Sequence, residues 1–222
     1  MRTKITWGDG VALVVWLLPI AYLVYVYPRL PDTIAVHFDY KGDPNGWGPR
    51  RQLWLAVLLL AGISMGVNIL VRFLPRIDPK KKAVYSQGAL MKIGYAIVFF
   101  MAALNVLIIY ASVQGHFAMK QSFFFPLIGL FYAYLGNLFN SLKPNYFVGI
   151  RTPWTLENET VWRKTHQWGG RVWVIGGLAM AVATLVLPNG PAFVVFLSGT
   201  ACLALAPIIY SHWCYRQIQK SI

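Results

Sequence analysis

Long uncharged apolar runs constrain this chain more than anything else in it. Val11 to Tyr27 carries no charge and would span ~26 Å as a helix, close to the thickness of a bilayer's hydrocarbon core. Comparable runs cover Leu53 to Val71, Ile93 to Val113, Phe123 to Leu142, Val172 to Leu187 and Ala192 to Cys214. These predict an all-α polytopic membrane protein with six transmembrane helices. Only 12% of the 222 residues are charged, against about 25% in soluble domains. The first run follows Arg2 and Lys4, as in a signal peptide, but ends in Val26-Tyr-Pro-Arg-Leu-Pro31. Those are not the small residues of a cleavage site, so it is read as a retained helix.

The formal net charge of +13 invites a nucleic-acid partner, but its distribution speaks for topology. Fifteen of the 20 Lys and Arg residues fall in the N-terminal arm, the loops after spans 2 and 4, and the C-terminal tail. That bias places both termini in the cytoplasm and implies affinity for anionic lipids, with no direct nucleic-acid contact. Span 4 is the least apolar, with Asn137, Asn140 and Ser141 near its end, and the bias argues that it crosses. Lys80-Lys-Lys82 reads either as a topology determinant or as a partner-docking patch. Cys202 and Cys214 would lie ~18 Å apart along one helix, too far for a disulfide.

The chain divides into a helix pair over 1–92, with an ordered outer loop at 29–51, and a four-span core over 93–222 with a cytoplasmic motif at 143–171. In the outer loop Thr33 to Phe38 alternates like a short strand, and Asp43-Pro-Asn-Gly-Trp-Gly48 reads as turns. His37, Asp39 and Asp43 could converge on a metal; the other reading is that they serve turns, and no metal or cofactor is assigned. Gly62-Ile-Ser-Met-Gly66 is either a close-packing face or chance glycine content. Ser64, Asn68, Asn105, Asn137 and Asn140 read as helix-to-helix hydrogen-bonding groups.

The inner polar island runs from Lys143 to Arg171. Thr152 suits a helix N-cap and Pro153 the first helical position. Glu157 and Glu159 favour the start of that helix, and Glu159 and Arg163 form an i, i+4 pair. Gly169-Gly170 is expected to end it before span 5. With Trp154, Val161, Trp162 and Trp168 on one side, it reads as an amphipathic helix lying in the membrane interface. Arg151 is the first candidate for binding a carboxylate, phosphate or headgroup, because a guanidinium does so bidentately. Asn145, Trp154, Trp162, Arg163 and His166 would shape the surface around it, and His37 and Asp39 would serve the outer face.

Lys143-Pro-Asn-Tyr-Phe-Val-Gly-Ile-Arg-Thr-Pro-Trp-Thr-Leu156 and Val161-Trp-Arg-Lys-Thr-His166 resemble the signature of the SdpI family of bacterial membrane proteins. Leu30 to Gly48 resembles a short domain of unknown function that often precedes it. The resemblance implies a protein of the bacterial cytoplasmic membrane that confers immunity to a secreted killing peptide. It also implies signalling, by holding a winged-helix repressor at the membrane. There is no His-Glu-x-x-His pattern and no Gly-x-Ser-x-Gly turn, so no enzyme activity is expected. Two other readings stay open: a transporter or channel for small or lipid-like solutes, and a lipid-acting enzyme using His166 and Glu159.

Overall fold

The computed structural model describes residues 6–39, 42–79, 86–115 and 123–220. Helix α1 (Trp7–Val26) leads through a short 3-10 turn into the strands β1 (Thr33–Phe38) and β2 (Pro44–Pro49). Helices α2 (Arg51–Ile77), α3 (Gln87–Gln114) and α4 (Phe124–Phe139) follow, then the short α5 (Pro153–Glu157), α6 (Glu159–Val186) and α7 (Asn189–Lys220). Lys80 to Lys82 and His116 lie outside the described residues.

Among the described residues five helices are long and apolar enough to cross a membrane: α1, with the turn after it, α2, α3, α6 and α7. Helix α4 is apolar but shorter, at 16 residues. The exteriors of these helices are apolar: Leu55 and Ile175 are each 69% exposed and Ile209 is 67% exposed. Water would penalise such a surface, whereas acyl chains accept it.

The hairpin corrects one reading. Pro44–Pro49, read as turns, is the second strand, antiparallel to β1 with Ile34 opposite Gly48 and Ala35 opposite Trp47. Its glycines allow close approach: a Cβ on Gly46 would stand 2.9 Å from the Cβ of His37. Ile34 is buried with Leu23, Val26, Leu30, Leu53, Val57 and Ile109, which seats the hairpin on the ends of α1, α2 and α3. Ser112 on α3 donates to the carbonyl of Ala35 at 3.2 Å.

A second core lies at the opposite end of the bundle. Val71, Leu74, Leu90 and Ile93 of α2 and α3 meet Leu138, Phe139, Leu142, Ile150 and Trp162 from the second half of the chain. The backbone N–H of Lys143 donates to Ser86 at 2.7 Å, joining the island to the segment before α3.

Helices α4 and α6 run antiparallel at backbone contact. A Cβ on Gly129 would meet the Gly177 carbonyl at 2.6 Å, and one on Gly136 would meet the Gly170 carbonyl at 2.8 Å. Gly62 and Gly66 have nothing within 4 Å of their Cβ positions, so their spacing marks no close contact among the described residues. Proline shapes the pairing of α6 with α7. Pro207 has no N–H for the carbonyl of Leu203, and the Trp173 indole of α6 donates to that carbonyl at 2.7 Å.

The separate interfacial helix is also corrected. Only the five residues of α5 stand apart; from Glu159 the helix runs unbroken for 28 residues through the apolar segment. Gly169 and Gly170 sit inside it and do not stop it. They are there for packing, since a Cβ on Gly169 would meet Ile150 and Pro207.

Candidate functional site

The island between α4 and α6 is built by its own side chains. Asn145 is fully buried, and its amide closes the loop. Its Oδ1 accepts from the N–H groups of Phe147 (2.9 Å) and Val148 (2.8 Å), and its Nδ2 donates to the carbonyls of Lys143 (2.9 Å) and Val148 (3.1 Å). Gly149 follows with φ +119°, a conformation that side-chain-bearing residues rarely adopt. A Cβ there would fall 2.5 Å from the Nε2 of His166.

His166 has both ring nitrogens occupied. Nε2 accepts from the Ile150 N–H at 3.0 Å, which requires Nδ1 to carry the proton that bonds the Trp162 carbonyl at 2.9 Å. The ring stacks on Trp162 with centroids 4.0 Å apart, and the Trp162 indole donates to the Leu142 carbonyl at 2.8 Å. His166 and Trp162 are each only 2% exposed. They are the pillar on which the Lys143–Arg151 loop rests.

Thr152 caps α5 as its sequence position implies, accepting from the Thr155 N–H at 3.2 Å. Thr155 donates to the Ile150 carbonyl at 2.9 Å, and Thr152 exchanges a hydrogen bond with Ser211 of α7 at 3.0 Å. Trp154 packs against His212, with ring centroids 4.6 Å apart. Asn158 caps α6, its side chain accepting from the N–H groups of Thr160 and Val161. The island is therefore pinned to α7 and, through Ser86, to the start of α3.

The candidate residues thus separate into two groups. Asn145, Trp162 and His166 are interior framework, while Trp154 is a partly buried contact to α7. Arg151 and Arg163 are exposed, and Arg151 donates to the Tyr146 carbonyl at 2.6 Å. At the other end of the bundle the ring of His37 bonds the side-chain oxygen of Asn45 through Nδ1. Asp39 accepts from the Asp43 N–H at 3.0 Å. These are turn-making contacts, and among the described residues no three His, Cys, Asp or Glu side chains converge as a metal would require.

Two adjoining cavities, of about 340 and 400 Å³, open along the seam of α4 and α6 and share Asn140 and His166. Lys143 and Arg163 line the first; Asn137, Gln167 and Arg171 line the second. Asn137 and Asn140 are exposed here and do not bridge helices as their sequence positions suggested.

A polar cluster that sequence reasoning missed ties α1, α2 and α3. Asp9 pairs with Arg72 through Oδ1 and also accepts from the Tyr95 hydroxyl at 2.8 Å and the Thr6 N–H at 2.6 Å. Arg72 donates from Nε to Asn68 at 3.2 Å. The available signal was an acid at the start of span 1 and an arginine at the end of span 2, where an antiparallel pair brings its ends together.

The helices, their apolar exteriors and the pinned island define a helical multi-pass protein of the cell membrane. Residues 141–211 match the model of the SdpI/YfhL protein family, and residues 14–61 match that of a domain of unknown function, DUF1648. The Immunity protein SdpI of Bacillus subtilis (strain 168) is 27% identical over 94 residues, 42% of this chain and 45% of that protein. The matched stretch thus spans less than half of that relative's length. No solved structure matches the chain.

Proposed function

We propose that this chain is an immunity protein of the bacterial cytoplasmic membrane that protects the cell from a secreted antimicrobial peptide. The observation that carries this reading is the SdpI/YfhL match over 141–211, the stretch that holds the buried Trp162–His166 pillar and its docking to α7. Six crossings, with α4 as the sixth and both termini in the cytoplasm, fit the charge bias. The hairpin then faces the outside, where a peptide arrives, and the island faces the cytoplasm. A cytoplasmic winged-helix repressor would dock on the island's exposed groups, Arg151 first. Peptide on one face can change docking on the other only by favouring one of two states of the bundle.

The test is survival of a toxin-sensitive bacterium that makes the chain, challenged with killing peptides of this class at verified membrane abundance. Protection by wild type, lost in a hairpin variant such as His37→Ala, supports the reading. Unchanged killing across several peptides at good abundance rejects it. Loss of reporter control in Arg151→Ala with protection retained would separate signalling from immunity.

A further inference from the structure

We infer that the groove between α4 and α6 binds the phosphate headgroup of an anionic glycerophospholipid. The inference does not use toxin recognition and stands or falls separately from it.

Arg163, Gln167 and Arg171 are four residues apart on α6 and form one stripe along the helix. Across the seam stand Asn137 and Asn140 at the end of α4, with Lys143 just beyond. All three α6 side chains are exposed, and neither arginine takes part in the Arg50–Asp32 or Arg72–Asp9 ion pair. Among the described residues the lining carries three cations, Lys143, Arg163 and Arg171, and one carboxylate, Glu159, which shares the first cavity with Lys143 and Arg163. The chemistry suits an anion: guanidinium groups bind phosphate bidentately, and the amides add neutral donors.

Depth selects a lipid over a soluble anion. Beyond Arg171 no residue of α6 is charged, so the groove opens where the helix passes from polar to apolar surroundings. Its lower wall is Val174 and Ile175. The exposed surface then continues through Ile175, Leu178 and Val182, whose spacing keeps them on one side of the helix. A headgroup seated on Arg163 and Arg171 would lay an acyl chain on that strip. The ring of His166 closes the back of the groove, with both nitrogens committed to backbone groups, so it offers the ligand no free donor.

The test is native mass spectrometry of the full chain released from detergent with equimolar phosphatidylglycerol and phosphatidylcholine. Wild type should retain phosphatidylglycerol selectively. Arg163→Gln should lower that selectivity about fivefold, and Arg163→Gln with Arg171→Gln on the order of twentyfold. Arg163→Lys with Arg171→Lys keeps the charge but not the bidentate fork and should restore part of it, which distinguishes a lost site from a misfolded variant. The control, Arg216→Gln with Lys220→Gln, removes two charges from the same end of the bundle and should leave selectivity unchanged. Equal retention of both lipids, or equal loss in the control, would overturn the inference. So would displacement of the lipid by inorganic phosphate at millimolar concentration, which would mark a soluble-anion site.

Discussion

At the scale of single residues, Gly149 and His166 make one joint. The glycine's positive φ turns the chain so that the next N–H, from Ile150, meets an imidazole nitrogen. Gly149→Ala would strain that conformation and also drive a Cβ into the ring. We expect a loss of about 1–3 kcal/mol, seen as a lower unfolding midpoint in nanodiscs. His166→Ala leaves the buried Ile150 N–H without its acceptor, at about 1–3 kcal/mol, and removes a stacked ring besides. If His166→Ala unfolded like wild type, the pillar would be dispensable. Asn145 belongs to the same joint, and its four hydrogen bonds explain why an asparagine stands there. Its place in the motif was legible in the sequence; its role was not, because an asparagine that closes a loop and one that contacts a partner look alike until the loop's path is known.

At the scale of elements, the contact between α4 and α6 depends on glycines facing backbone. Gly136→Ala would press a methyl group into the Gly170 carbonyl and the Trp173 Cβ, costing about 1–3 kcal/mol from overpacking. Gly62→Ala and Gly66→Ala meet open space and should be neutral or slightly stabilising, since alanine favours a helix over glycine. Thermal scans of the three variants side by side check both halves of this contrast. The Asp9–Arg72 pair is the matching device in the first half of the chain. Their side chains are 14% and 19% exposed, so each charge depends on its partner more than a surface ion would. A double-mutant cycle with Asp9→Asn and Arg72→Gln should show a coupling of about 1–3 kcal/mol, whereas additive losses would mean the groups act independently.

At the scale of the whole molecule, the two halves share one core, in which Val71 and Leu90 touch the same cluster as Phe139 and Trp162. The hairpin and the island occupy opposite ends, which is the geometry a signal across a membrane needs. The proposed topology has a direct check. In a chain with Cys202 and Cys214 replaced by alanine, Asn45→Cys and Lys220→Cys should react with a membrane-impermeant thiol reagent from opposite sides. Labelling from the same side would mean that α4 does not cross, because an even number of crossings would then separate the two positions.

The apolar runs determined the helices, and the charge bias suggested an orientation, because solvation of a chain in a bilayer is set residue by residue. Thr152 and Pro153 fixed the start of α5 for the same local reason: capping acts within one turn. The sequence could not say that Gly169-Gly170 would continue a helix, since glycine serves equally as a stop or as a site of close approach. Only Ile150, Pro207 and the Gly136 carbonyl, distant in the chain, made packing the use. Pro44–Pro49 likewise became a strand because β1 lay beside it to pair with. Tertiary structure decided which polar side chains of the motif turned inward. Trp162, His166 and Asn145 have polar atoms that buried backbone groups require, whereas Arg163 and Arg171 stay at the surface, where their charges keep the solvation that burial would remove.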